Sequence, residues 1–216
     1  AVTAVPDTLG GAGVQFVGGS IKTKASGATP YEVDLSQAAR QASVTATNLL
    51  AESTVIGNTN NSLGITIDGK TSTTITLTSG TYTRLALTQE LQAQINANGQ
   101  LAGRRVAVGL SGDQLAVTSS SYGLASEVTI GTGTALSALG FAGTETNKGQ
   151  DVVGRFIVNG VDEPAVGIGQ FLVGNSVNAN TAALQVRVTL SNGQLIAGAE
   201  ASVTVTRGVA SKLDAV

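Results

Sequence analysis

Apolar residues recur at every second position along much of this chain. Tyr31, Val33 and Leu35 alternate with polar neighbours, as do Leu184, Val186 and Val188, and then Ala201, Val203 and Val205. A period of two sends alternate side chains to opposite faces of a strand, so these runs read as half-buried β-strands. The period changes to four in RLALTQELQAQINAN, where Leu87, Leu91 and Ile95 line one side of a helix, Ala93 favours it and Asn98-Gly99 supplies a stop. The pattern predicts a mainly β, β-rich α+β fold: two antiparallel β-rich domains, one with a single amphipathic helix.

The core of such a fold must be aliphatic. Of 216 residues 42% are hydrophobic but only 3% aromatic, so Val, Ile, Leu and Ala fill it. Each well-buried aliphatic side chain contributes roughly 1.5–3 kcal/mol, so many small ones can replace few large ones. Charged residues make up 12%, about half the usual share, and Thr, Ser, Asn, Gln and Gly supply the polar surface. With no His and no Cys, the chain cannot build the usual zinc site, a haem ligand set, a Cys nucleophile or a Ser-His-Asp triad. Twelve Lys and Arg against 14 Asp and Glu leave a net charge of −2, a poor counterion-releasing surface, so no nucleic-acid partner is expected. No apolar run approaches the ~20 residues of a membrane span. Residues 1–20 lack the basic start and apolar centre of a secretory signal, so neither a membrane partner nor classical secretion is expected.

Composition shifts divide the chain. Residues 1–12 hold a Pro and a Gly pair without periodicity and read as a lead-in segment. SQAARQA offers a helical turn that Ser36 could cap. The Asn-rich stretch before Ser62 and the polar GTETNKGQD mark two crossings. They predict a discontinuous β-rich domain of residues 13–60 plus 150–207, an inserted domain at 61–149, and the start of a truncated helix at 208–216. Within the insert, GITIDGKTSTTITLTSG reads as two strands joined at Asp68-Gly69, and RVAVGL, GDQLAVTS and EVTIGT as short strands; ALSALGF reads as a helical turn. RFIVNGVDE is a second hairpin, around Asn159-Gly160.

Gly64 to Thr71, GITIDGKT, satisfies the P-loop pattern literally. Its four intervening residues favour a strand, Asp68 has the wrong charge to face phosphates, and a strand rather than a helix follows, so the hairpin reading is preferred. Asp162-Glu163 is the adjacent acidic pair, but neighbours in a strand point apart and a glycosidase needs two converging carboxyls, so the pair reads as a solvated hairpin rim. Arg104-Arg105 reads as a charged strand end that blunts an edge. Asn60-Asn61-Ser62 fits a glycosylation acceptor, a short and common pattern of little weight. No catalytic, cofactor-binding or metal-ligating residue is assigned, and partner-binding residues stay unknown.

From Ser62 to Phe141 the order is hairpin, Tyr82, a helix with Leu91 and Ile95-Asn96, then VAVGL, GDQLAVTSSSYG, EVTIG and ALSALGF. This resembles the flagellin-hook IN motif of bacterial axial flagellar proteins. Upstream TPYEVDLSQAARQASVTA, and downstream DVVGRFIVNGVDEPAVGIGQFLVGN with ALQVRVTL and ASVTVTRGVASKLDAV, resemble the flanking segments of the filament-capping family (hook-associated protein type 2, or FliD). The resemblance implies the outer domains of an extracellular cap that forms an oligomeric ring at the filament tip and guides flagellin into the lattice. That is assembly rather than enzymatic work, with self-association and flagellin as the partners and no cofactor. The chain departs from the complete family in lacking both long terminal helical regions, which makes it an outer fragment on this reading. An outer domain of a flagellin or another hook-associated protein is the alternative; an extracellular adhesin or carbohydrate-binding β module is more distant, because Trp is absent and Tyr scarce for stacking on sugars. Contact with a host surface stays open.

Overall fold

The computed structural model describes residues 2–7, 13–72 and 74–207. Three strands open the chain: β1 (Val2–Asp7), β2 (Val14–Gly18) and β3 (Tyr31–Gln37). There follow β4 (Ser43–Thr45), β5 (Ser53–Ile56), β6 (Ser62–Leu63), β7 (Ile65–Ile67), β8 (Lys70–Thr71), β9 (Ile75–Thr76) and β10 (Gly80–Thr83). Helix α1 (Arg84–Ala97) leads to β11 (Val106–Ser111), β12 (Gln114–Ser119) and β13 (Glu127–Ile130), then the turn of helix α2 (Leu136–Leu139) and β14 (Thr146–Lys148). The chain ends its described part with β15 (Val153–Val158), β16 (Val161–Ile168), β17 (Phe171–Gly174), β18 (Gln185–Val188) and β19 (Ala199–Arg207). With 43% strand and 12% helix the protein is mainly β, its sheets are antiparallel, and among the described residues α1 is the one helix longer than a turn or two.

Two compact units divide these elements, one of residues 1–40 and 151–216, the other of 41–150. In the first, eight strands run in the order β1-β19-β3-β15-β16-β17-β18-β2. Their inward positions carry the alternation seen in the sequence: Tyr31, Val33 and Leu35 on β3, Val186 and Val188 on β18, and Ala201, Val203 and Val205 on β19 pack around Phe156. Bulges interrupt the ladder between Val153 and Gly154 and between Ala199 and Ala201. At the second bulge the ladder bond to Leu35 is lost, and the buried Glu200 side chain replaces it, accepting the Leu35 N–H at 2.7 Å.

In the second unit α1 presents Leu87, Leu91 and Ile95, all fully buried, to a core of Leu63, Ile65, Ile67, Leu115, Val117, Val128, Ile130 and Leu139. Thr83 caps its first turn by accepting the Ala86 N–H, and the Asn98 N–H closes its last turn on Ile95 O. The helix also seals a strand edge. Asn96 accepts the Val106 N–H at 2.8 Å and donates to Val106 O at 2.9 Å, while Gln92 accepts the Val108 N–H at 2.9 Å. β11 is an edge strand of the sheet β11-β12-β4, so two side-chain amides one helical turn apart act as its missing neighbour.

Several expectations need correction. Residues 2–7, read as part of a lead-in, form a strand paired with Ser202–Arg207. SQAARQA is not helical: β3 runs to Gln37, Ser36 donates to Val153 O instead of capping, and the buried Ala38 donates its N–H to Asn192 Oδ1 at 2.7 Å. The first crossing lies at residue 40 rather than 60, because β4 pairs with β12 and β5 with β10, which ties residues 41–60 into the second unit. The strand after Asp68-Gly69 is broken: β8 pairs with β7, but β9 pairs with β6. Ser72 ends the first pairing by exchanging two hydrogen bonds with the Ile65 backbone. The helix start expected at 208–216 lies outside the described residues.

Candidate functional site

The P-loop look-alike is a two-residue hairpin turn. Asp68 and Gly69 have φ of 48° and 72° between the paired Ile67 and Lys70, the geometry of a type I′ turn. The Asp68 carboxylate accepts from Ser119 Oγ at 2.8 Å, Ser121 Oγ at 2.7 Å and the Glu127 N–H at 2.9 Å, and the Asp68 N–H donates to Glu127 O. A carboxylate so occupied braces three segments, and Lys70 stands exposed beside it.

Next to that brace lies an open concavity of about 400 Å³, lined by Asp68, Arg104, Arg105, Ser120 and Ser121 among others. Arg105 precedes β11 directly and its carbonyl accepts the Ser120 N–H, as a strand end does. Neither arginine forms an ion pair among the described residues. The concavity sets two arginines beside the Asp68 carboxylate and the Ser121 hydroxyl that it holds at 2.7 Å.

The acidic pair divides as a strand requires, yet one member is not on a solvated rim. Asp162 is exposed and meets Arg155 at 3.0 Å, and Arg155 also holds Asp34 at 2.6 Å. Glu163 is 6% exposed and accepts from Asn180 N and Nδ2 at 3.0 and 2.7 Å and from Thr181 N and Oγ1 at 2.7 and 2.5 Å. Burial pushes its carboxyl up, but these hydrogen bonds outweigh burial and hold it below the usual glutamate range. Glu145 is alike: burial raises it, and the N–H groups of Ala142 and Gly143 with the Thr47 hydroxyl bring it down to about 2. Nothing in the sequence flagged Glu145, whose donors are backbone groups of its own loop and the hydroxyl of Thr47, 98 residues upstream. Asn60 likewise has a local task, accepting the Gly57 N–H at 2.6 Å and donating to Val55 O at 2.9 Å.

Among the described residues no group of three or more acidic side chains could hold a metal ion, and no helix is long and apolar enough to cross a membrane. What the surface offers is apolar contact. On the outward face of β15 to β17, Val153, Val166 and Ile168 are 47%, 50% and 63% exposed, with Val173 opposite Val166 and Phe171 opposite Ile168. Such a face suits association rather than chemistry.

No protein-family model matches the chain, and no curated protein matches it in sequence. Solved structures do. The D1-D2-D3 domains of the flagellar cap protein FliD from Escherichia coli match all of this chain with a TM-score of 0.57 and 16% identity, and the chain spans 60% of that structure's length. The D2-D3 domains from the same organism match 96% of the chain over 99% of their own length, with a TM-score of 0.54 and 16% identity. The D2-D3 domains of the cap protein from Serratia marcescens match 90% of the chain over 98% of theirs, at 0.50 and 20% identity. This chain has the fold of the D2-D3 domains of flagellar cap proteins.

Proposed function

We propose that the chain supplies the outer domains of an extracellular flagellar filament cap, a ring of copies at the filament tip that guides flagellin into the growing lattice. The observation that carries this reading is the match to cap-protein D2-D3 domains over nearly the whole of both lengths. The role is assembly, and residues 41–150 are the inserted, IN-like unit within it. The surface supports such work. Low charge and abundant Thr, Ser and Gln permit contacts that form and break, while the scarcity of aromatic anchors keeps any one contact weak. The exposed face around Val166 and Ile168 is the natural place for a neighbouring subunit. A stable interface buries about 800 Å² per partner, and a ring that must shift as subunits insert needs less than that from its outer domains.

The test is deletion of the gene that encodes the chain. The expected result is loss of filaments with unpolymerised flagellin released into the medium, restored by the intact gene. Normal filaments in the deletion strain would overturn the proposal.

A further inference from the structure

The chain contains three Asn-Gly pairs, at 98–99, 159–160 and 192–193. Asn-Gly is the dipeptide in which the following backbone nitrogen most readily attacks the asparagine side chain, because glycine has no Cβ in the way. The fold treats the three differently. Asn192 Oδ1 accepts the Ala38 N–H at 2.7 Å, and Asn98 Oδ1 accepts the Gln100 N–H at 3.1 Å while its own N–H closes helix α1. Asn159 is exposed and makes no side-chain hydrogen bond among the described residues.

We infer that Asn159 is a site of spontaneous deamidation, selected by the β15–β16 turn while the other two pairs are held back. Asn159 and Gly160, with φ of 51° and 78°, form the central residues of a two-residue turn closed by Val158 and Val161. In such a turn the second central N–H is left out of the ladder, so the Gly160 nitrogen is unengaged. Reaction requires that nitrogen to face Asn159 Cγ. Flipping the peptide between the two residues achieves this and converts a type I′ turn into type II′ without moving either strand; type II′ ordinarily carries Gly at its first central position, so Asn159 visits that turn only transiently. Asn159 keeps its positive φ, and Gly160 accepts either sign. A Cβ built at Gly160 would meet nothing within 4 Å, so the turn has open space around that residue.

The Gly160 nitrogen bonds to Asn159 Cγ and loses its proton, the Cγ–Nδ2 bond breaks, and ammonia leaves with that proton. Water then opens the five-membered imide at either carbonyl, giving an aspartyl or an isoaspartyl residue at position 159. The first adds a negative charge to the turn. The second also adds a backbone methylene to it.

The experiment incubates the folded 216-residue chain, and separately the chain in denaturant, at mildly alkaline pH, and follows the three pairs by peptide mapping with mass spectrometry. In the folded chain the peptide containing Asn159 should show the mass gain of amide to acid and split into two products, with the other two peptides several-fold slower or unchanged. In denaturant all three should react at similar rates. Asn159→Gln, whose longer side chain disfavours the ring, should abolish the change at that peptide. An unmodified Asn159 in the folded chain would overturn the inference. So would Asn98 or Asn192 reacting as fast as Asn159 there, or the same ranking in denaturant as in the folded chain.

Discussion

Replacing Glu163 by Ala removes the acceptor for the buried Thr181 amide and hydroxyl, which lie at 2.7 and 2.5 Å. A buried donor left without a partner costs about 1–3 kcal/mol, so the pair costs about 2–6 kcal/mol. The Asn180 groups are nearer solvent and regain water, so they add little. Glu163→Gln keeps the shape and one acceptor oxygen but turns an amide toward these donors, and should lose about 1.5–3 kcal/mol, the worth of a charge-assisted bond. The effect must depend on pH in one direction. The folded carboxyl lies below its ordinary value, so its stabilisation is complete above the unfolded pKa of about 4.3 and is lost as pH falls toward the folded one. Urea unfolding across a pH series, read at β16 and β18 amides by hydrogen exchange, measures both the size and the trend, with an unchanged m-value as the check that only stability moved. Glu163→Ala within about 0.5 kcal/mol of the parent at neutral pH, the range of an ordinary surface change, would refute the reasoning. A parent–Gln difference that does not narrow in acid would do the same.

Further outcomes follow from other braces. Asn96→Ala should cost about 1–3 kcal/mol by leaving the Val106 amide and carbonyl unpaired, and should speed exchange of that amide ahead of the rest of β11. Gly69→Ala should cost about 1–2 kcal/mol because φ of 72° is unfavourable with a Cβ, whereas Lys70→Ala should change thermal stability by less than about 0.5 kcal/mol. Glu145 should titrate near 2 by carboxyl NMR, so its contribution holds above the ordinary glutamate range and fades between there and pH 2; Glu145→Gln should flatten that acid limb.

Where a residue's neighbours in sequence are also its neighbours in space, the fold was legible. The period-four stripe of Leu87, Leu91 and Ile95 became the buried face of α1, and Asp68-Gly69 and Asn159-Gly160 became tight turns because positive φ is a local requirement. Long-range pairing was not legible. Val2–Asp7 has no alternation of its own and is a strand because β19, nearly the whole chain away, supplies its partner. SQAARQA has helical propensity, but burial of Ala38 and Ala39 against distant segments decides its conformation. Glu163 reads as rim in the sequence because its donors, Asn180 and Thr181, lie 17 and 18 residues downstream. The exposed apolar face on β15 to β17 was hidden for a related reason, since alternation states which residues share a face but not which face meets the core.

The reading as a filament cap is tested most directly by where the protein sits. Antibodies raised against this chain and coupled to gold, applied to flagellated cells of the source organism, should label a single cluster at the distal end of each filament. Label distributed along the filament would instead mark an outer domain of a lattice subunit, and label on the cell body with bare filament tips would contradict a flagellar role altogether.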